Sequence, residues 1–271
     1  MSIPPWIENA FLQLADQFYR FKPQPYPGID AINACRIVSH RGERDNKTVF
    51  ENTYAAFDPV VEANIWGIEF DIRWSQDLVP LVIHDADGKR VFGENIIIAE
   101  HTAAEIRKAL PLVPDLESFI HRYGKRVHLM AELKQEHYPD PEHQQSVLKK
   151  LFSSLDAGVD YHFISLHLPL FSHVAFAPNS ALLPVSTVNA GHFSQYALEE
   201  NLAGVTGHYL FMTNKIIQRH HDKHREVGTG FINSRNALFR ELNRGSNWIF
   251  SNAALRIHNI IQAELGSHSN R

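Results

Sequence analysis

A single cysteine, Cys35, excludes an intrachain disulfide and any thiolate zinc cluster built from this chain alone, and it fits a reducing compartment. The opening M-S-I-P-P-W-I-E-N-A-F-L lacks the basic start and unbroken apolar run of a secretory signal. Nowhere do about 18 consecutive apolar residues occur, so no transmembrane helix is expected and the expected location is the cytoplasm. Without a secretory route the sequon Asn46-Lys47-Thr48 carries no meaning. Basic blocks are missing too. Lys and Arg total 26 against 30 Asp and Glu, a net charge of −4, which argues against a nucleic-acid partner. No G-x-G-x-x-G follows the first strand pattern. The nearest approach, Gly228-Thr229-Gly230, comes far too late, which disfavours a doubly wound dinucleotide-type sheet.

What is present is a recurrent alternation of strand and helix patterns, with no repeat, low-complexity stretch or interdomain linker. Apolar spacing at Ile7, Phe11, Leu14 and Phe18 predicts an N-terminal helix, ended by K-P-Q-P-Y-P-G. Strand patterns follow at 36–39, 67–73, 81–83, 127–133, 163–166, 182–188, 205–209, 230–233 and 248–250, with helical patterns between them. Roughly eight strand–helix units in 271 residues predict an α/β fold of the (β/α)8 TIM-barrel type. The expected division is an N-terminal helical extension and connector over 1–34, packing on a barrel over 35–271. Its helix is expected to cap the closed end of the barrel. A membrane anchor is disfavoured because the polar face (Glu8, Gln13, Asp16, Gln17) lacks lysine and arginine.

The stretch G-I-E-F-D-I-R-W-S-Q-D-L-V-P-L-V-I-H-D, from Gly67, carries a tension. Ile68, Phe70 and Ile72 form one apolar strand face, so Glu69 and Asp71 stand side by side on the other. A solvated face needs no explanation, with Arg73 as a surface partner. In a parallel barrel, however, both faces are covered. Glu69, Asp71 and Glu132, the last at the exit of the third strand, would then converge near the mouth. Buried together, they would protonate or bind a cation, and an all-oxygen set suits Mg²⁺, Ca²⁺ or Mn²⁺ better than zinc. Ser39-His40-Arg41-Gly42, His84-Asp85 and Ala131-Glu132-Leu133-Lys134 sit at neighbouring strand exits. His40 and His84 form a natural acid–base pair. Arg41 and Lys134 suit a phosphoryl group. A metal, two histidines, an arginine and a lysine around one mouth describe phosphodiester cleavage.

The pattern S-H-R-G, then E-N-T-Y-A-A-F from Glu51, then the Gly67–Asp85 stretch resembles the glycerophosphodiester phosphodiesterase family. V-P-D-L-E-S-F-I at Val113 and A-E-L-K at Ala131 resemble further motifs of that family. The resemblance runs from about Arg36 to Asn252 and weakens toward its end. It implies a barrel enzyme that hydrolyses small glycerophosphodiesters to an alcohol and glycerol 3-phosphate. Glu69, Asp71 and Glu132 would hold one divalent cation, Mg²⁺ or Ca²⁺ with Mn²⁺ also allowed. His40 and His84 would exchange protons, and Arg41, Lys134 and, secondarily, Glu51 would attend the phosphate. A homodimer stays an open option.

Three departures bear on substrate preference. Gly230 and Phe231 stand where the family often has a tryptophan, Asn252 where an aspartate is common, and Asp77-Leu78 where an aspartate–glycine turn is usual.

Other histidines read differently. His220 and His224 in R-H-H-D-K-H-R could share a helix face and hold a metal, but a solvated surface is the expectation. His167 and His208 sit near later strand ends, where they could touch substrate, but the expectation for both is a merely hydrogen-bonded histidine. Two alternatives remain. One is a lysophospholipase-D-like hydrolase with an apolar groove supplied by P-L-F-S-H-V-A-F-A-P after Leu168; a secreted sphingomyelinase-D type lacks the cysteines for its disulfide. The other is a barrel that binds phosphodiesters without cleaving them.

Overall fold

A computed structural model describes residues 17–269. Among these residues lie nine strands: β1 (Arg36–His40), β2 (Gly67–Trp74), β3 (Pro80–Val82), β4 (His128–Leu133), β5 (Tyr161–Ser165), β6 (Leu182–Ser186), β7 (Gly204–His208), β8 (Glu226–Gly230) and β9 (Trp248–Ser251). Eight run parallel in the order β1-β2-β4-β5-β6-β7-β8-β9, and β9 pairs back onto β1, closing a TIM barrel. β3 is the exception. It folds back antiparallel on β2, with Arg73 opposite Leu81, and delivers His84 to the mouth.

Period-two alternation divides the apolar residues between two cores. Ile68, Phe70 and Ile72 point outward beneath the helices, where Phe70 and Phe57 pack on Phe119 at ring distances of 4.5 and 5.2 Å. Phe119→Ala would cost about 3–5 kcal/mol in this layer. Val38, Met130, Ile164, Leu183, Trp248 and Phe250 fill the barrel interior. Gly228 makes room for that plug. A Cβ there would lie 2.6 Å from Thr206 Oγ1 and 2.9 Å from the Phe250 ring. Polar caps fix where the helices begin: Asp115 accepts from the Ser118 amide, Asp140 from His143, Thr213 from Ile216 and Ser234 from Ala237.

Several expectations are corrected. The seventh barrel strand is Glu226–Gly230 rather than 230–233, because E-V-G-T-G reads as a turn until its glycines are seen to accommodate close neighbours. A helix at Ala254–Ser269 follows the last strand, where no element was expected. Phe11 and Leu14 of the N-terminal helix lie outside the described residues. Its described end, 17–21, packs at the mouth and not at the closed end: Tyr19 meets Tyr209 edge-on at 5.6 Å, and Asn236 Nδ2 donates to the Arg20 carbonyl at 2.9 Å. Both contacts follow the C-terminal ends of β7 and β8. His220 is not on a solvated surface. It is buried, 3.0 Å from Ser194 Oγ, and His224 lies beyond the end of the helix Asn214–His221. In the segment after Leu168, Leu170, Phe171 and Val174 turn into the core rather than toward solvent.

Candidate active site

Register brings the polar strand exits together. His40 is the partner of Glu69 across β1 and β2, and Asp71 is the partner of Glu132 across β2 and β4. The solvated alternative for the carboxylates fails: Glu69 is 1%, Asp71 0% and Glu132 6% exposed. One oxygen from each lies within 4.8 Å of the others. Arg73, far from offering these groups a surface partner, pairs with Glu136 at 3.0 Å and donates to the His84 carbonyl at 2.7 Å.

Asp71 is the best satisfied of the three. Asn52 Nδ2 donates to its Oδ2 at 2.7 Å, Arg41 Nε approaches Oδ2 at 3.2 Å, and Lys134 Nζ lies 3.2 Å from Oδ1. Burial alone would raise its carboxyl, but Arg41 and Lys134 outweigh that and hold it below the usual range. Glu132 receives Lys134 Nζ at 2.6 Å. Burial, reinforced by the charge of Asp71, still raises it. Glu69 has neither oxygen hydrogen-bonded, and burial with Asp71 and Glu132 beside it pushes its carboxyl well up. Three carboxylates against two close cations leave one buried negative charge without an answer. A divalent cation fits that deficit and the unfilled oxygens of Glu69.

The two histidines are held differently. His40 Nδ1 lies 2.7 Å from Asn252 Oδ1, and Arg44 Nη2 donates to the same oxygen at 2.9 Å. A guanidinium can only donate, so that atom of Asn252 is its oxygen. His40 Nδ1 must then carry the proton, and Nε2, 3.8 Å from Glu69 Oε2, is left with a free lone pair. Burial, with Arg41 and Arg44 nearby, pushes His40 down to about 3. His84 instead places Nδ1 2.6 Å from the carboxylate of Asp85, which Arg90 steadies at 2.6 Å. Burial lowers His84 as well, while Asp71 and Asp85 act in the opposite direction.

Glu51 does not line the cavity. Its carboxylate is taken up by Arg90 at 2.6 Å, Asn46 at 2.7 Å, Arg41 at 3.3 Å and Arg44 at 3.5 Å. These partners overcome its burial and bring it down to about 2. The loop that carries this network turns on Gly42 (φ 79), where a Cβ would sit 2.6 Å from that of Ala56.

Beyond the charged cluster a cavity of about 250 Å³ opens, its far wall formed by Ile164, Leu166, Val185, Phe211, Phe231 and Phe250. Phe231 lines it where the indole is absent. Arg44, Asn252 and His208 were not among the residues expected in the site. His208 faces the cavity with Nδ1 accepting from the Leu210 amide at 3.2 Å, which puts its proton on Nε2. Burial pushes it down to about 4, so it is a neutral donor. Its place near a late strand end was visible in the sequence, but that alone did not distinguish a substrate contact from a structural hydrogen bond.

Comparison with known proteins agrees with this architecture. The family model for Glycerophosphoryl diester phosphodiesterase matches residues 40–166. A Bacillus subtilis (strain 168) protein named as a glycerophosphodiester phosphodiesterase is 32% identical over 109 residues, covering 36% of this chain and 44% of its own length. The chain spans less than half the length of the curated relatives it matches. The fold matches the glycerophosphodiester phosphodiesterase of Thermotoga maritima (TM-score 0.69, 18% identity, 84% of this chain and 98% of that one). It also matches an Oleispira antarctica phosphodiesterase in complex with the product sn-glycerol-3-phosphate (TM-score 0.69, 21% identity, 84% and 96%). The part that resembles the glycerophosphoryl diester phosphodiesterase family, residues 40–166, carries the three carboxylates, both paired histidines, Arg41 and Lys134.

Proposed function

We propose that the protein hydrolyses small glycerophosphodiesters to an alcohol and glycerol 3-phosphate, using a divalent cation, Mg²⁺, Ca²⁺ or Mn²⁺, held by Glu69, Asp71 and Glu132. The observation that carries this reading is the pair of unfilled Glu69 oxygens inside a buried acidic cluster, flanked by two histidines and two cations. When bound, the cation supplies Lewis-acid polarisation of phosphoryl oxygens. Arg41 and Lys134 add positive charge on the same side, and Glu51 keeps Arg41 in place rather than touching phosphate itself.

The hydrogen bonds divide the acid–base labour. His40, with Nδ1–H committed to Asn252, offers Nε2 to take the proton of the attacking hydroxyl. His84, whose imidazolium Asp85 stabilises, gives its proton to the departing alkoxide. The proton lost by the nucleophile is matched by the one delivered to the leaving alcohol. His208 Nε2–H and the apolar wall orient the alcohol arm.

The lysolipid reading finds less support. Leu170, Phe171 and Val174 of the segment expected to form an apolar groove are buried, and a 250 Å³ cavity suits a short diester. The test is release of glycerol 3-phosphate from glycerophosphocholine, glycerophosphoethanolamine and glycerophosphoglycerol after EDTA treatment and after metal addition. Metal-dependent release, lost in His40→Ala, is expected. Turnover of lysophosphatidylcholine alone would favour the lysolipid reading. Silence on every substrate by a folded, metal-loaded protein would remove the proposal.

A further inference from the structure

Phe231 has a space on each side. On one it lines the catalytic cavity, its ring 5.7 Å from that of His40 and 5.3 Å from that of His208. On the other it borders a second cleft of about 150 Å³, walled by Gln17, Arg20, Asn233, Ser234, Ala237 and Arg256. The backbone at Phe231 is left-handed (φ 68), an uncommon conformation for a non-glycine residue, and it sets the ring between the two spaces. The wall of the cleft is tied to the site chemistry. Asn233 Oδ1 accepts from Ser251 Oγ at 3.0 Å and from the Asn252 amide at 3.2 Å, and Asn252 is the residue that orients His40.

The charge of the cleft is one-sided. Among the described residues no carboxylate lines it, and neither the Arg20 nor the Arg256 guanidinium has a hydrogen bond or ion pair with any of them. Other arginines near the mouth do: Arg41, Arg44 and Arg90 face Glu51, Arg235 faces Glu264, and Arg244 faces Glu241. Two uncompensated planar guanidiniums at one concavity create a positive potential and offer parallel N–H donors matched to a phosphate.

We propose that this cleft is an anion subsite for the alcohol arm of the substrate, and that the preferred substrates are glycerophosphodiesters whose alcohol carries a second phosphate. This rests on the hydrolase reading above. The reacting phosphate sits at the acidic cluster, the arm passes Phe231, and the second phosphate reaches Arg20 and Arg256.

The experiment compares glycerophosphoglycerol with glycerophosphoglycerol bearing a terminal phosphate, by steady-state kinetics and by direct binding to the metal-free protein. The expected result is a KM roughly tenfold lower for the phosphorylated diester at low salt, an advantage that shrinks as salt screens the charges. Arg20→Gln with Arg256→Gln should erase the advantage and leave glycerophosphoglycerol kinetics within about twofold. Equal KM values, or variants that weaken both diesters alike, overturn the subsite. So does inorganic phosphate binding through Arg256 without preference between the diesters, since the cleft would then hold only a free anion. A protein that turns over neither diester, yet binds the phosphorylated one more tightly through Arg20 and Arg256, keeps the subsite and sinks the hydrolase reading.

Discussion

Replacing Glu69 by glutamine should stabilise the metal-free protein and abolish its response to metal. Glu69 is 1% exposed, neither of its oxygens receives a hydrogen bond, and two carboxylates lie beside it. Ionised, the cluster carries three negative charges against Arg41 and Lys134. Glutamine keeps the shape, removes the unanswered charge, and presents an amide N–H₂ to Asp71 or Glu132. Relieving an unsatisfied buried group is worth about 1–3 kcal/mol. For a chain of this size that corresponds to a rise of roughly 2–12 °C in the melting temperature of the metal-free form. The wild type should instead gain from metal, by about 2.7 kcal/mol at a hundredfold excess over Kd, and the variant should gain little.

Thermal melts with and without Mg²⁺ or Ca²⁺ at pH 8 read both effects. The pH dependence fixes the sign. Glu69 is raised in the folded state, so its contribution is fully present below the unfolded value of about 4.3 and is lost as pH rises through the folded value. Metal-free wild type should therefore lose stability as pH climbs from about 4.5, and Glu69→Gln should flatten that slope. A variant that is less stable without metal, or that keeps the full metal response, would refute the electrostatic reasoning.

Arg44→Met removes the donor that fixes the Asn252 amide. The kcat should fall about 10–100-fold with KM nearly unchanged, and ¹⁵N NMR should show His40 leaving the single Nδ1–H tautomer. Asp85→Asn withdraws the carboxylate that favours the His84 imidazolium. The alkaline limb of the kcat profile should then move to lower pH, and an unmoved limb would take His84 out of the acid role. Gly42→Ala adds a Cβ 2.6 Å from that of Ala56 at φ 79, and urea denaturation should report a loss of roughly 2–5 kcal/mol.

Much of the site could be read from local pattern. Alternation along 67–73 put Glu69 and Asp71 on one face, and the same rule aligned Glu132 with Lys134. The barrel followed from repeated strand–helix units, whose bulky apolar strands announce themselves. β8 did not, because E-V-G-T-G carries small residues selected by neighbours distant in sequence. His208 was seen and set aside: its role depends on which ring nitrogen a backbone amide occupies, and composition says nothing about that.

The sequence by itself determined the residue types at the strand exits, the parallel alternation and hence the kind of chemistry at the mouth, because these depend on spacing of a few residues. Tertiary structure decided what those residues feel. Asn252 reaches His40 across 212 positions, and Glu51 gathers arginines from two segments. Only closure of the barrel between β1 and β9 brings Asn252 to His40, buries the carboxylates on both faces, and sets Phe231 between the cavity and the cleft of Arg20 and Arg256. Burial and charge pairing are properties of neighbours in space, and spacing along the chain does not encode them.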